Sequence, residues 1–206
     1  MSAWHAGVVE PSDLLDTRRP LPGWLAIALV AGTSAAVLVL EILAARLLAP
    51  YVGVSLETYT GIIAVVLAGI AVGAWVGGWV ADRVDARRLL PVLLTAGGAL
   101  ALLTIPTVRI VGQSGIDGPS GVLVLATLGF LPSATVLSAI PPAVVKLQLR
   151  DLDATGSVVG RLSAWGTAGA IVGTLTTGFV LVAVAAVTSL IVAVAAALLF
   201  AGVIMW

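Results

Sequence analysis

Long apolar runs separated by short polar loops dominate the chain from Trp24 onwards. The hydrocarbon core of a bilayer is roughly 30 Å thick, and a helix needs about 20 apolar residues to cross it. Runs of about that length predict six transmembrane helices, at residues 24–48, 59–81, 89–108, 122–147, 162–181 and 190–206. The residues before them, 1–23, predict a polar N-terminal arm. The pattern therefore predicts an all-α integral membrane protein with a single six-helix membrane domain at 24–206.

The last apolar run, 162–206, is too long for one crossing. As a single helix it would extend roughly 65 Å, about twice the thickness of the hydrocarbon. We therefore expect the chain to reverse near residues 184–189, where Thr188 or Ser189 can cap a new helix.

Composition supports the membrane assignment. Hydrophobic residues make up 60% of the 206 residues and charged residues only 10%, whereas soluble domains carry about 25% charged residues. The net charge is zero, so nothing indicates a nucleic-acid partner. The chain has no cysteine, which excludes disulfides and thiolate metal sites, and its one histidine lies in the N-terminal arm. We expect neither a metal nor a cofactor.

Basic residues are distributed unevenly between the two sides of the predicted helices. One side has only Arg46 and Arg109. The other side has Arg18, Arg19, Arg83, Arg87, Arg88, Lys146, Arg150 and Arg161. The positive-inside rule then places both termini in the cytoplasm, and we expect a bacterial cytoplasmic membrane.

The first span carries an acidic residue at a depth where charge is costly. Glu41 lies about 25 Å from the start of this span, inside the hydrocarbon. An unpaired carboxylate there costs on the order of 3 kcal/mol or more. Arg46 follows about 140° further round the helix, so the two residues cannot pair on one face. Two interpretations stay open: Glu41 is a structural group bonded to another helix, or it is a cation or proton site in a water-filled cavity.

The fourth span is the least regular. Its prolines remove backbone donors, and nearby hydroxyl groups can supply replacement hydrogen bonds. The prolines are Pro132, Pro141 and Pro142, and the hydroxyl residues are Ser133, Thr135 and Ser138. Such a helix either lines a cavity or is kinked for packing, and the sequence leaves both open.

Glu41 is the candidate ligand for a cationic solute. Its candidate polar neighbours are Tyr59, Thr135 and Ser138. Arg46 or Arg109 would instead neutralise Glu41 and favour a structural role. The spans contain no convincing pair of acid and base residues, so an enzyme acting within the membrane is the least favoured interpretation.

Small residues recur at every fourth position on two spans. They are Gly69, Gly73 and Gly77 on the second span, and Gly166, Ala170 and Thr174 on the fifth. Such stripes let the backbones of two helices approach closely. They predict tight packing, either inside one chain or between two copies.

The charged run between the second and third spans resembles a loop of the major facilitator transporters. The run is Gly78-Trp-Val-Ala-Asp82-Arg83-Val-Asp-Ala-Arg87-Arg88. The family pattern is a glycine, three residues, Asp-Arg, and then a glycine followed by basic residues; Asp85-Ala86 stands where one glycine is expected. In that family the loop is a cytoplasmic charge clamp that helps to gate the transporter. The alternative is a solvated charged turn.

A wider resemblance covers nearly the whole membrane region. It is carried by EILAARLLAPYVGVSLETYTGIIAVVLAGIAVGAWVGGWVADR, LPSATVLSAIPPAVVKLQLRDL and TGSVVGRLSAWGTAGAIVGTLTTGFVLV, which resemble the membrane domain of the fused membrane-bound spermidine synthase-like proteins. The matching features are Glu41 with Arg46, the glycine run into Asp82-Arg83, Pro132 with Pro141, Gly156, Gly160, and the pairs Gly166-Thr167 and Gly173-Thr174. Many relatives have a glycine between the two prolines, where this chain has Leu137-Ser138.

The resemblance implies a bundle similar to one half of a major facilitator transporter. In that fold the first and fourth helices of each half line the cavity, and the second and fifth form the seam between halves. For this chain it implies a homodimer through spans two and five. The residues expected at that seam are Gly69, Gly73, Gly77, Gly166, Ala170 and Thr174.

Two functions follow from the resemblance. The first is a transporter-like domain that handles a cationic solute such as a polyamine. The second is an anchor that docks a soluble aminopropyltransferase-like partner on the charged loops. The loop residues proposed for gating or docking are Asp82, Arg83, Arg87, Arg88 and Lys146. In that family the membrane domain precedes a soluble catalytic domain, and this chain has no strand followed by a glycine-rich nucleotide loop, so we expect no catalysis from it.

Overall fold

The computed structural model describes residues 21–116, 118–149 and 154–206, and nearly all of the predicted arm at 1–23 lies outside these ranges. Within them the fold is all-helical, as the apolar pattern predicts. The helices are α1 (Gly23–Val52), α2 (Leu56–Arg83), α3 (Ala86–Gly112), α4 (Gly118–Gly129), α5 (Leu131–Ser138), α6 (Ile140–Gln148), α7 (Thr155–Thr176), α8 (Val182–Val184) and α9 (Val187–Ile204). A π-helical turn, Thr177–Leu181, joins α7 to α8.

Several of these helices are long and apolar enough to cross a bilayer. In the described part of the chain there are five: α1, α2, α3, the run Thr155–Val184, and α9. The segments α4 to α6, which we call the broken helix, bend by 45° where α4 ends and would add a sixth crossing if they form one span. Length and composition thus agree with an integral membrane protein.

The helices extend beyond the apolar runs at most of their ends. α1 continues through Pro50 to Val52 instead of stopping at residue 48, and α7 begins at Thr155 instead of residue 162. Terminal turns lie outside the hydrocarbon, where polar residues are tolerated. Apolar composition therefore predicts the part of each helix that would lie in the hydrocarbon, and it does not predict where the helix begins and ends.

Capping side chains begin two of the helices. The hydroxyl of Ser55 accepts a hydrogen bond from the Thr58 amide at 3.1 Å before α2. The carboxylate of Asp85 accepts one from the Arg87 amide at 3.0 Å before α3. Each bond satisfies a backbone donor that has no partner within its helix.

The chain reverses at Ala185 and Ala186, inside the predicted window. The predicted cap is wrong: Ala186 precedes α9, and no side chain bonds its first turn. Thr188 and Ser189 lie within the helix instead. The reversal therefore depends on extended backbone at two alanines and not on a capping hydroxyl.

Three tight helix pairs build the bundle: α1 with α7, α2 with the broken helix, and α3 with α9. The close approaches of glycines give their directions. Gly69 lies against Ala134 and Gly77 against Ala139, so α2 is parallel to the broken helix. Gly98 lies against Ala195, whereas Gly202 lies against Thr95, so α3 and α9 are antiparallel.

The packing repeats between the two halves of the chain. In this repeat α1 corresponds to the broken helix, α2 to α7, and α3 to α9. The contact of α1 with α7 then corresponds to the contact of the broken helix with α2, and the third pair joins α3 to its own counterpart, α9. Equivalent helices cross the bundle in opposite directions, which is the signature of an inverted-topology repeat. The closest approaches also correspond. The contact of Gly73 with Thr135 in one pair matches that of Gly169 with Ala31 in the other. The contact of Gly77 with Ala139 likewise matches that of Gly173 with Ala35.

Both small-residue stripes are used inside the bundle. A Cβ on Gly69 would stand 3.1 Å from the Ala134 Cβ, and a Cβ on Gly166 would stand 3.1 Å from the Val30 Cγ1. Gly73 and Gly77 are likewise buried, and Ala170 and Thr174 are half-buried. The glycines therefore pack α2 on the broken helix and α7 on α1, and they cannot at the same time form a seam between two copies.

Basic side chains gather at one end of the bundle, which we call the basic end. Arg83, Arg87, Arg88, Lys146 and Arg161 lie in helical turns near this end. The opposite end, which we call the far end, contains the turns between α1 and α2 and between α3 and α4. The positive-inside rule predicts that the basic end faces the cytoplasm.

Candidate functional site

Glu41 lies in a narrow cleft between α1 and the broken helix. No part of the cleft is wide enough to admit a water molecule. Its lining is formed by Val37, Leu40, Glu41, Val66, Phe130, Ser133 and Ala134. α1 has 30 residues, so Glu41 is about 5 Å from its midpoint along the helix axis. The carboxyl group is thus near the middle of a helix long enough to cross a bilayer, and it lies among mostly apolar side chains.

No basic side chain neutralises Glu41 within residues 21–116, 118–149 and 154–206. Arg46 and Arg109 are both exposed, and neither forms an ion pair or hydrogen bond with it. In a hydrocarbon environment such a carboxyl group is stable as the neutral acid or when a cation or water reaches it. The pairing with an arginine that we considered from the sequence is therefore absent in this conformation.

Ser133 is the polar residue that shares the cleft with Glu41. Its hydroxyl group donates a hydrogen bond of 2.9 Å to the carbonyl oxygen of Phe130, where the broken helix bends. The same oxygen accepts the Ala134 amide at 3.0 Å. Ser133 therefore adds a second hydrogen bond to a carbonyl that already has its helical partner, and does not replace a bond that a proline removed; its position beside Glu41 was not predicted. No sequence signal gives that position, because it depends on how the broken helix is rotated against α1.

The three predicted polar neighbours of Glu41 do not line this cleft. Tyr59 is near the start of α2 at the far end and is 46% exposed. Thr135 donates a hydrogen bond of 2.8 Å to the Leu131 carbonyl and faces the glycine stripe of α2. Ser138 is buried with its Cβ against Gly73. The structure thus brings Thr135 and Ser138 together at the contact with α2, and leaves Tyr59 apart.

The charged residues of the predicted loop lie at the basic end. The guanidinium of Arg83 lies 3.6 Å from the centre of the Trp79 ring and donates a hydrogen bond of 2.8 Å to the Trp79 carbonyl. Lys146 donates a hydrogen bond to the carbonyl oxygen of Ala81. Asp82 and Arg88 are exposed. The loop therefore combines a link between α2 and α6 with charges that face the solvent.

The described residues contain no cluster of three or more histidine, cysteine or acidic side chains that could hold a metal ion. Comparison with known proteins gives no match: no family model, no curated protein and no solved structure is similar to this chain. The resemblance to the spermidine synthase-like membrane domains therefore stays a prediction from the residues quoted above.

Proposed function

We propose that this chain is a transporter-like membrane domain in which Glu41 binds a proton or a cationic solute. The observation that carries the proposal is the unneutralised carboxyl group of Glu41 near the middle of α1, in the same cleft as Phe130, where the broken helix bends. Intramembrane acidic residues are rare, and they mark ion or proton pathways in many membrane proteins. The sequence resemblance favours a polyamine as the solute.

The inverted repeat supports this proposal. In folds of this kind, substrate and ion sites lie near the midplane, between the repeats, and often beside interrupted helices. The cleft of Glu41 is formed mainly by α1 and the broken helix, which are equivalent members of the two repeats. We infer an arrangement like one half of a major facilitator transporter, with these two helices beside the solute path.

The closed cleft then represents one state of a transport cycle. Because it is too narrow for water, a solute reaches Glu41 only after α1 and the broken helix move apart. The bend at Phe130, where the helix changes direction by 45°, is the place where we expect this movement to be absorbed.

The test is uptake of labelled spermidine into proteoliposomes containing the wild type, Glu41→Gln or Arg46→Gln. Arg46 is the control, because it is an exposed charged residue of the same helix that does not line the cleft. We expect uptake to fall at least about tenfold in Glu41→Gln, which corresponds to a loss of about 1.4 kcal/mol in binding, with unchanged melting. Absence of uptake in all three proteins, with a lower melting temperature for Glu41→Gln, would assign Glu41 a structural role.

An anchor function is the second candidate, and the exposed charges at the basic end favour it. Asp82 and Arg88 make no contact that would neutralise them in the described part of the chain. A soluble aminopropyltransferase-like partner with a complementary surface would bind there. Binding of such a protein to nanodiscs, lost in Arg88→Glu and kept in Glu41→Gln, would favour the anchor over the transporter.

A homodimer through α2 and α7 remains part of the proposal. The glycines of both helices are occupied within one chain, so the contact would use outward side chains such as Trp75 and Val172, which are 76% and 63% exposed. Subunit counting in native-like bilayers tests it, and a single population of monomers would exclude the dimer.

A further inference from the structure

A groove at the far end lies between the first turns of α2 and α4, away from Glu41. It has a volume of about 350 Å³, which is within the range of small-molecule sites. Leu56, Pro119, Val122 and Leu123 give it apolar walls, and Glu57 and Thr60 are its polar groups. At Gly61 the helices are in contact, since a Cβ there would stand 2.8 Å from the Val122 Cγ1.

In a bilayer centred on α2, the groove spans the boundary between the lipid headgroups and the hydrocarbon. α2 has 28 residues and is about 42 Å long, which exceeds a hydrocarbon core of roughly 30 Å by about 6 Å at each end. Glu57, in the first turn, is therefore at headgroup level. Val122 and Leu123 lie in the second turn of α4, where the hydrocarbon begins. An occupant thus meets a carboxylate at its outer end and apolar side chains below.

We propose that this groove binds a phospholipid with a primary ammonium headgroup. The ammonium group donates hydrogen bonds to the Glu57 carboxylate, the Thr60 hydroxyl donates one to the phosphate, and an acyl chain lies on Val122 and Leu123. Neither Glu57 nor Thr60 has a hydrogen bond or ion pair within the residues that the structure describes, so both are free for this role. The proposal does not depend on the function of Glu41.

Charge and polarity select this lipid among the alternatives. A quaternary ammonium has no N–H group to donate to a carboxylate, and charge-assisted hydrogen bonds are about twice as strong as neutral ones. An anionic headgroup would be repelled by Glu57. A hydrophilic polyamine would gain nothing from the four apolar wall residues, because its charges would have to leave water beside them.

The test measures which lipid remains bound to the purified protein. The wild type and its variants are reconstituted in vesicles with equal amounts of phosphatidylethanolamine and phosphatidylcholine bearing the same acyl chains, and retained lipids are identified by native mass spectrometry. We expect the wild type to retain phosphatidylethanolamine about two- to fivefold over phosphatidylcholine, the preference that one partly exposed ion pair supports. Glu57→Gln removes this preference, and Glu57→Asp keeps most of it.

A second substitution locates the lipid. Leu123→Trp fills the groove and is expected to release the retained lipid, whereas Leu128→Trp, which adds the same ring at an exposed position of α4 outside the groove, leaves it bound. An unchanged headgroup preference in Glu57→Gln, or unchanged retention in Leu123→Trp, would overturn the assignment. So would efficient dimer cross-linking of Leu123→Cys in a bilayer, because the chain has no other cysteine and the occupant would then be a second copy.

Discussion

The side-chain ammonium of Lys146 donates a hydrogen bond to the backbone carbonyl of Ala81, and so joins α6 to the last turns of α2. The carbonyl groups at the end of a helix have no partner within it and carry partial negative charge. A lysine from another helix therefore satisfies an acceptor and stabilises the helix dipole at once. This contact gives Lys146 a structural role at the basic end beside the gating or docking role predicted for it.

Removing this lysine should loosen the end of α2. For Lys146→Met we expect amide protection near residues 81–84 to fall about two- to fivefold, in line with one net hydrogen bond of about 0.5–1 kcal/mol. Hydrogen–deuterium exchange in nanodiscs measures it. Arg88→Met, which removes an exposed charge at the same end, serves as the control. Equal protection in Lys146→Met and the wild type would show that the contact contributes nothing to this end.

Glycines at equivalent places in the two repeats should be equally intolerant of a side chain. A Cβ on Gly73 or on Gly169 would overlap the backbone carbonyl of Thr135 or Ala31, so each helix would have to move away from its partner. We expect Gly73→Ala and Gly169→Ala each to lower the free energy of unfolding by about 1–3 kcal/mol.

Gly160 provides the comparison, because nothing lies within 4 Å of its Cβ position. Gly160→Ala should be neutral or should stabilise α7 by up to about 1 kcal/mol, as alanine is the better helix former. Unfolding in mixed micelles measures all three variants. Equal free energies of unfolding for the three variants would show that the close approach of the helices does not require glycine at residues 73 and 169.

Thr177 has a fully buried hydroxyl group that finds no hydrogen-bond partner in the described part of the chain. It begins the π-helical turn at the end of α7. A buried polar group without a partner costs about 1–3 kcal/mol, and an apolar group of the same shape avoids this cost. Thr177→Val should therefore be neutral or stabilising.

Thr104 is the matched case with a partner, since its hydroxyl group donates a hydrogen bond of 2.7 Å to the Gly129 carbonyl. Thr104→Val should destabilise the protein by about 1 kcal/mol. The contrast between the two valine variants is the measured quantity. A larger loss at Thr177 than at Thr104 would mean that the Thr177 hydroxyl is bonded in the membrane.

We predict that the carboxyl group of Glu41 lowers the free energy of unfolding, although cation uptake depends on it. Glu41→Met keeps much of the side-chain volume and removes a carboxyl group that has no partner in the described structure. We expect the free energy of unfolding to rise by about 1–3 kcal/mol, as for other isolated polar groups replaced by apolar ones, while cation uptake is lost. A decrease in stability would instead reveal a bonding partner for Glu41 in the membrane.

The positions of the membrane helices follow from the sequence because the constraint on them is local. A helix in hydrocarbon must satisfy its own backbone and present apolar side chains over about 20 residues, and both conditions are read from one stretch of chain. The bend in the broken helix follows equally from its prolines. The reversal near Ala185 was forced by length alone, since one helix could not contain the whole apolar run.

Contacts between helices were decided by the tertiary structure. The spacing of Gly69, Gly73 and Gly77 indicates that another helix packs closely there, but it does not indicate which one. The structure shows that the partner is the broken helix of the same chain. Ser133 shares the cleft with Glu41, while Thr135 faces α2. Which hydroxyl faces the acid depends on the rotation of one helix against another, and that rotation is fixed only when all the helices pack together.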